Sequence, residues 1–169
     1  MHKGTLPLLN GVCAMLARRG SHRDLFGLVD RSLGLLVGHK LFTILLARKS
    51  EGEVIRVYSS RPDVYPVSRA KKMGRTPWGE MVLETGRPFI GRNAQDMRWA
   101  FSDHELLSSI GCESALNVPV VIDGQALGTV NLLDGANWYQ ERHVALVTPF
   151  AYLLAEKFSS ILSKEGLVQ

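Results

Sequence analysis

A chain of 169 residues has room for one domain with a full-sized core, and its 46% hydrophobic and 21% charged residues exclude disordered and fibrous classes. The formal charge of +4 is spread along the chain, and without a zinc-finger or aromatic RNA-binding motif no direct nucleic-acid binding is expected. Two cysteines, Cys13 and Cys112, make no disulfide framework, and the apolar start is broken by Pro7, Asn10 and Gly11, so the expectation is a cytoplasmic protein without a signal peptide or membrane span.

The tightest basic clusters, Arg18-Arg19 and Arg69 with Lys71 and Lys72, read as solvated faces. The second borders an irregular segment with the character of a ligand loop, where an anionic ligand is the alternative reading.

Leu6, Leu9, Cys13 and Leu16 recur at helical spacing and predict an amphipathic helix closed by Gly20. Ser21 then caps a second helix carrying Leu25, Leu28, Val29 and Leu33 or Leu36, which ends at Gly38. The unbroken apolar run from Lys40 to Ala47 suits a strand covered on both faces. Glu51-Gly52-Glu53 turns it back into a strand from Val54 to Ser59.

From Arg61 to Pro77 three prolines and many polar residues dissolve the pattern, and a loop this long in one domain tends to be functional or mobile. Thr76-Pro77 restarts a helix that ends at Gly86, and Phe89-Ile90 is a brief strand. Ser102 with Glu105 three residues on predicts a capping box and a helix to about Ile110.

Ser114 to Ile122 and Gln125 to Leu133 flank Asp123-Gly124, the signature of a tight hairpin. Uninterrupted pairing sets Ile122 against Gln125, Val118 against Thr129 and Leu116 against Asn131. In that register Asn117 and Asn131 lie on opposite faces, so unless a bulge intervenes only one can face a given side. A final helix spans about Gln140 to Ser163, with Pro149 expected to kink or divide it. One of its apolar rows is Val144, Val147, Ala151, Leu154, Phe158 and Ile161; Leu146, Phe150 and Leu153 form another, which needs a partner.

The stretch from Trp78 to Ile90, with Thr85-Gly86-Arg87-Pro88 leading into a strand, resembles the central helix of the GAF domain family. The stretch from Ile110 to Leu132, with Ser114-x-Leu116-x-Val118-Pro119 and Gly128-x-Val130-x-Leu132, resembles that family's C-terminal hairpin. Order and spacing extend the resemblance from about Ser21 to Ser163. It implies an α+β, profilin-like fold: a central antiparallel sheet of five or six strands, terminal helices on one face, and short helices plus the long irregular segment roofing a pocket on the other. Residues 1–20 are then a leading helix, 21–163 the GAF domain and 164–169 a tail.

The same resemblance frames the chemistry. The cyclic-nucleotide members carry an Asn-Lys pair where this chain has Asn131-Leu132. Bilin attachment uses a cysteine followed by histidine, whereas Cys112 precedes Glu113 and Cys13 precedes Ala14. The free methionine sulfoxide reductases need resolving thiols near the nucleophile, and Cys112 has no second thiol within the domain. His2, His22, His39, His104 and His143 form no metal-ligand spacing, and no cofactor is expected.

The residues leave a small-molecule pocket of aromatic and polar groups: Tyr58, Trp78, Trp99, Phe101, Ser114, Asn117 and Asn131. The reading adopted is a ligand-sensing domain, not an enzyme, that forms a homodimer through its terminal helices. A redox enzyme using Cys112 and a dimerisation module with a vestigial pocket are the alternatives.

Overall fold

Six strands form one antiparallel sheet in the computed structural model: β1 (Leu41–Arg48), β2 (Glu53–Ser59), β3 (Ala70–Lys72), β4 (Phe89–Gly91), β5 (Ser114–Ile122) and β6 (Gln125–Asp134). Their order across the sheet is β3-β2-β1-β6-β5-β4. The structure describes residues 4–18, 20–67, 70–72 and 76–164. Met1, His2, Lys3, Arg19, Arg69 and the tail 165–169, which enter the sequence reading, lie outside them.

β1 sits at the centre and is buried on both faces along nearly all of its length, as its continuous apolar run requires. Gly52 turns it into β2 with φ +63°, and Asp123 and Gly124, both at positive φ, turn β5 into β6. β3 lies inside the stretch read as irregular. Its three residues are exposed and join β2 by backbone pairing alone, so they carry no side-chain alternation for sequence reading to find.

One face is covered by α1 (Thr5–Ala17), α2 (His22–Leu36) and α6 (Glu141–Lys164). Ser21 caps α2 as expected, its hydroxyl accepting from the Asp24 N–H at 3.1 Å. α6 crosses β5, β6 and β1 and is unbroken through Pro149, so the expected division does not occur. By length and composition α6 alone among the described helices could cross a membrane, but Val147, Phe150, Leu154 and Phe158 are fully buried in the core, which accounts for its apolar character.

α1 packs on α2 and α6 of its own chain. Its inner face is rotated from the expected one: Thr5 and Val12 are buried and Leu8, Leu9, Met15 and Leu16 pack on the core, while Leu6 and Cys13 are exposed. The second row of α6 is thereby covered within the chain, with Phe150 fully buried and Leu146 and Leu153 half-buried.

The other face is roofed by short elements. Thr76 caps α3 (Pro77–Gly79), which runs on as a π-helical turn, Glu80–Glu84, and stops before Gly86 at φ +66°. α4 (Ala94–Ala100), absent from the sequence reading, is started by Asn93, whose side chain accepts from the Gln95 and Asp96 N–H groups. α5 (His104–Ser109) begins one residue later than the capping-box reading places it: its N-cap is Asp103, which makes no capping hydrogen bond and whose Oδ2 accepts from Tyr65.

Candidate functional site

Two β-bulges decide what the roofed face of the sheet presents. On β6 the pairing runs Ile122 to Gln125 and Val121 to Ala126, then shifts so that Val120 meets Gly128. Leu127 is the extra residue, and it and Gly128 both turn toward the helices. The expected partners are therefore displaced by one: Val118 pairs with Val130 and Leu116 with Leu132. Asn117 stands directly opposite Asn131, and both face the roof. Only glycine fits at position 128, where a Cβ would lie 2.0 Å from the Leu45 carbonyl oxygen and 2.9 Å from the Phe158 ring.

The second bulge lies between β1 and β2, where Ile44 meets Tyr58 but Leu45 already meets Arg56. Val57 is the extra residue, so Val57 and Tyr58 both face the helices while Val54 and Arg56 face the roof.

Between floor and roof lies a cavity of about 160 Å³. A directed hydrogen-bond relay crosses its floor. The Trp78 indole Nε1–H donates to Asn117 Oδ1 at 2.9 Å, and Asn117 Nδ2 donates to Asn131 Oδ1 at 2.8 Å. Asn131 Nδ2 then donates to Thr43, at 3.2 Å to the hydroxyl and 3.4 Å to the carbonyl. An indole N–H can only donate, so this end of the chain fixes which way both amides point.

Charged groups form the wall. Tyr65 donates to Asp103 Oδ2 at 2.5 Å, and Lys71 Nζ lies 3.8 Å from Asp103 Oδ1. The Arg56 guanidinium lies 3.6 Å over the Tyr65 ring and donates to the Pro66 carbonyl at 2.8 Å. Burial, then the charge and hydrogen bond of Asp103, push the Tyr65 hydroxyl well above its ordinary pKa, so it acts here as a donor. Lys72 completes the rim.

The GAF domain model matches residues 11–157. The chain belongs to the GAF domain family. Among solved structures it is similar to the GAF domain of a phosphoenolpyruvate-protein phosphotransferase from Coxiella burnetii, at 17% identity and TM-score 0.77, covering 97% of this chain and 98% of that one. The GAF domain of the corresponding Acinetobacter protein gives 13% identity and TM-score 0.75, covering 96% and 97%. The phycocyanobilin-bound GAF domain of a cyanobacterial phytochrome gives 13% and 0.72, covering 95% and 96%. At these identities the likeness establishes the fold. No curated protein matches the chain in sequence.

Of the residues singled out in sequence, this GAF domain brings Trp78, Phe101, Asn117 and Asn131 to the cavity. Three others lie elsewhere. Tyr58, carried to the helix face by the Val57 bulge, donates to Asp30 at 2.7 Å and packs edge-on against Phe26 and Phe42. Trp99 is half-exposed on α4, stacked on Phe89 with ring centroids 5.5 Å apart. Ser114, fully buried, donates to the Gly135 carbonyl at 2.7 Å and ties the start of β5 to the end of β6.

Sequence reasoning missed Arg56, Tyr65 and Asp103. Arg56 carried a usable signal, a charge between Ile55 and Val57 in a strand otherwise able to bury both faces. Cys112 is buried outside the cavity lining, and burial followed by the negative charge of Asp134 pushes its thiol up to about 11. Among the described residues no group of three or more His, Cys, Asp or Glu side chains could hold a metal ion.

Proposed function

We propose that this GAF domain is a sensor module that binds a small molecule in the cavity between its sheet and the roof, and acts through binding. The observation that carries the reading is the relay from Trp78 to Thr43. Buried amides held in one orientation by a roof residue give the cavity a defined polar pattern, and they connect ligand occupancy to the position of the π-helical turn. A π-helical turn at the cavity edge fits the same reading, since such turns concentrate at functional sites.

The Cys112 chemistry supports binding over catalysis. A sulfoxide reductase needs an accessible thiolate, and this thiol is buried, protonated at neutral pH and without a nearby second thiol, since Cys13 sits exposed on α1. Two free thiols also suit the reducing cytoplasm. Self-association through the terminal helices belongs to the same reading. Because α1 packs on α6, the large exposed apolar side chains left for it among the described residues of these two helices are Leu6 and Tyr152.

Native mass spectrometry of the purified protein, followed by thermal shift with small metabolites of every charge class, tests the reading. At least one compound is expected to raise Tm and to move the Trp78 indole N–H resonance. A panel that leaves both unchanged overturns it. So does turnover of free methionine sulfoxide that a Cys112→Ser variant abolishes. A monomer mass in light scattering, with and without ligand, removes the self-association.

A further inference from the structure

We infer that the cavity selects a small organic anion, bound through a carboxylate or phosphate group; this rests on the ligand-binding function proposed for the domain and assigns the class of ligand. The first argument is the direction of the relay. Because Trp78 can only donate, the oxygens of Asn117 and Asn131 each already accept a hydrogen bond. The hydrogens that the relay leaves unused are the second Nδ2–H of Asn117 and the Thr43 hydroxyl hydrogen, whose oxygen accepts from Asn131, and each amide oxygen keeps one further lone pair. Reversing the amides would set two donors face to face, so these hydrogens stay available to an acceptor.

The second argument is charge. Among the described residues, the charged ones lining the cavity are Arg56, Lys71 and Lys72 against the carboxylate of Asp103. That carboxylate accepts from the Tyr65 hydroxyl at Oδ2, while its buried Oδ1 has no hydrogen-bond partner and lies 3.8 Å from Lys71 Nζ. Arg56 is held in place by the Tyr65 ring and the Pro66 carbonyl, which orders its guanidinium before any ligand arrives. Cations in the wall and hydrogens on the floor select the same chemistry, an anion rich in acceptors.

The third argument is size. A cavity of about 150 Å³ holds a benzene-sized molecule, and this one measures about 160 Å³. The ligand is therefore on the order of six to eight non-hydrogen atoms, well below a nucleotide.

Titration of the whole chain with succinate, inorganic phosphate, succinamide and 1,4-diaminobutane tests the assignment. Heat and the Trp78 indole N–H resonance are both followed; the resonance is assigned by its loss in Trp78→Phe. Succinate or phosphate is expected to bind and move that resonance, weakening as salt rises, while the neutral and cationic probes leave it unmoved. Binding of succinate alone assigns a carboxylate, and of phosphate alone a phosphate. Lys72→Gln, at an exposed rim position, should weaken the anion at least roughly tenfold without lowering Tm.

If succinamide or the diamine moves the resonance as strongly as the anions, the anion assignment falls and the binding reading survives. Should neither anion move it up to about 10 mM, the assignment falls as well. The binding reading then falls too only when the wider metabolite panel and native mass spectrometry also find nothing. Heat from the anions without a shift of the Trp78 resonance places them outside the cavity and likewise overturns the assignment.

Discussion

The two faces of one sheet have been filled in different ways. On the helix face Phe26, Phe42, Phe150 and Phe158 are buried to 1% exposure or less and belong to a single core, with Phe26 edge-on to Phe158 at 6.2 Å. On the roofed face the core splits in two, one part around Leu41, Phe89 and Leu107 and the other around Ala47, Val54 and Leu83. Thr43, Asn117, Thr129 and Asn131 are buried on that same face. Long helices present continuous apolar rows that can close-pack a sheet. Short helices joined by irregular chain cannot, and the gap they leave is bordered by oriented polar groups. Buried polar groups sit where packing is incomplete.

The largest effect is expected where the solid face is tightest. Gly128→Ala would drive a methyl group into the Leu45 carbonyl and the Phe158 ring, separating β1 from β6 beneath α6. A loss of about 3 kcal/mol or more is expected in urea unfolding. A variant as stable as the parent would show that the bulge can relax and that the helix face is less rigid than its packing implies.

A smaller cost is expected on the roofed face. Asn117→Ala leaves the Trp78 N–H and the Asn131 oxygen without their partners beside a cavity that can admit water. The expected loss is about 1–3 kcal/mol, with the Trp78 indole resonance moving toward its solvent-exposed position. An unmoved resonance would mean that Trp78 is held by packing against Phe101 and that the relay does not orient the roof.

The smallest effect concerns the charged cluster of His39 and Asp30 at the edge of the solid face. His39 lies 3.0 Å from Asp30, which also receives the Tyr58 hydroxyl. Burial lowers the pKa of His39, but the hydrogen bonds and charge of Asp30, with a further contribution from Asp134, outweigh it and leave the value raised above 6.5. A raised folded value means that the stabilisation is fully present below the unfolded value and is lost as pH rises through the folded one. The urea midpoint of the parent should therefore exceed that of His39→Gln by more at about pH 6 than at about pH 9. Comparison with the variant removes His22 and His143, whose values burial lowers and whose pH dependence has the opposite sign. A gap that does not change with pH would make this cluster a neutral hydrogen-bonded one.

Much of this architecture was legible because its signals are local. Ser21 and Thr76 cap helices through bonds to residues three positions on, and Asp123-Gly124 forms the hairpin turn through its own backbone preferences. The π-helical turn, the exposed strand β3 and the α4 start at Asn93 escaped because they are either very short or carry no apolar period. Within the site, Trp78, Phe101, Asn117 and Asn131 could be picked out by residue type and neighbourhood. Tyr58, Trp99 and Ser114 could not be placed the same way, since nothing about a tyrosine, a tryptophan or a serine says which side of a sheet or helix it will occupy.

Sequence by itself thus determined the order of the main elements, the helix caps at Ser21 and Thr76, the hairpin turn and the apolar run of the central strand, all of which depend on residues within a few positions of one another. Tertiary structure alone decided the faces. An extra residue at Val57 or Leu127 reverses the sidedness of the strand beyond it, and each bulge is stabilised by neighbours far along the chain. Gly128 is shaped by Leu45 and Phe158, and Tyr58 by Asp30 and Phe42. Side-chain alternation has a period of two, so one inserted residue is enough to bring Asn117 and Asn131 together and to send Tyr58 away.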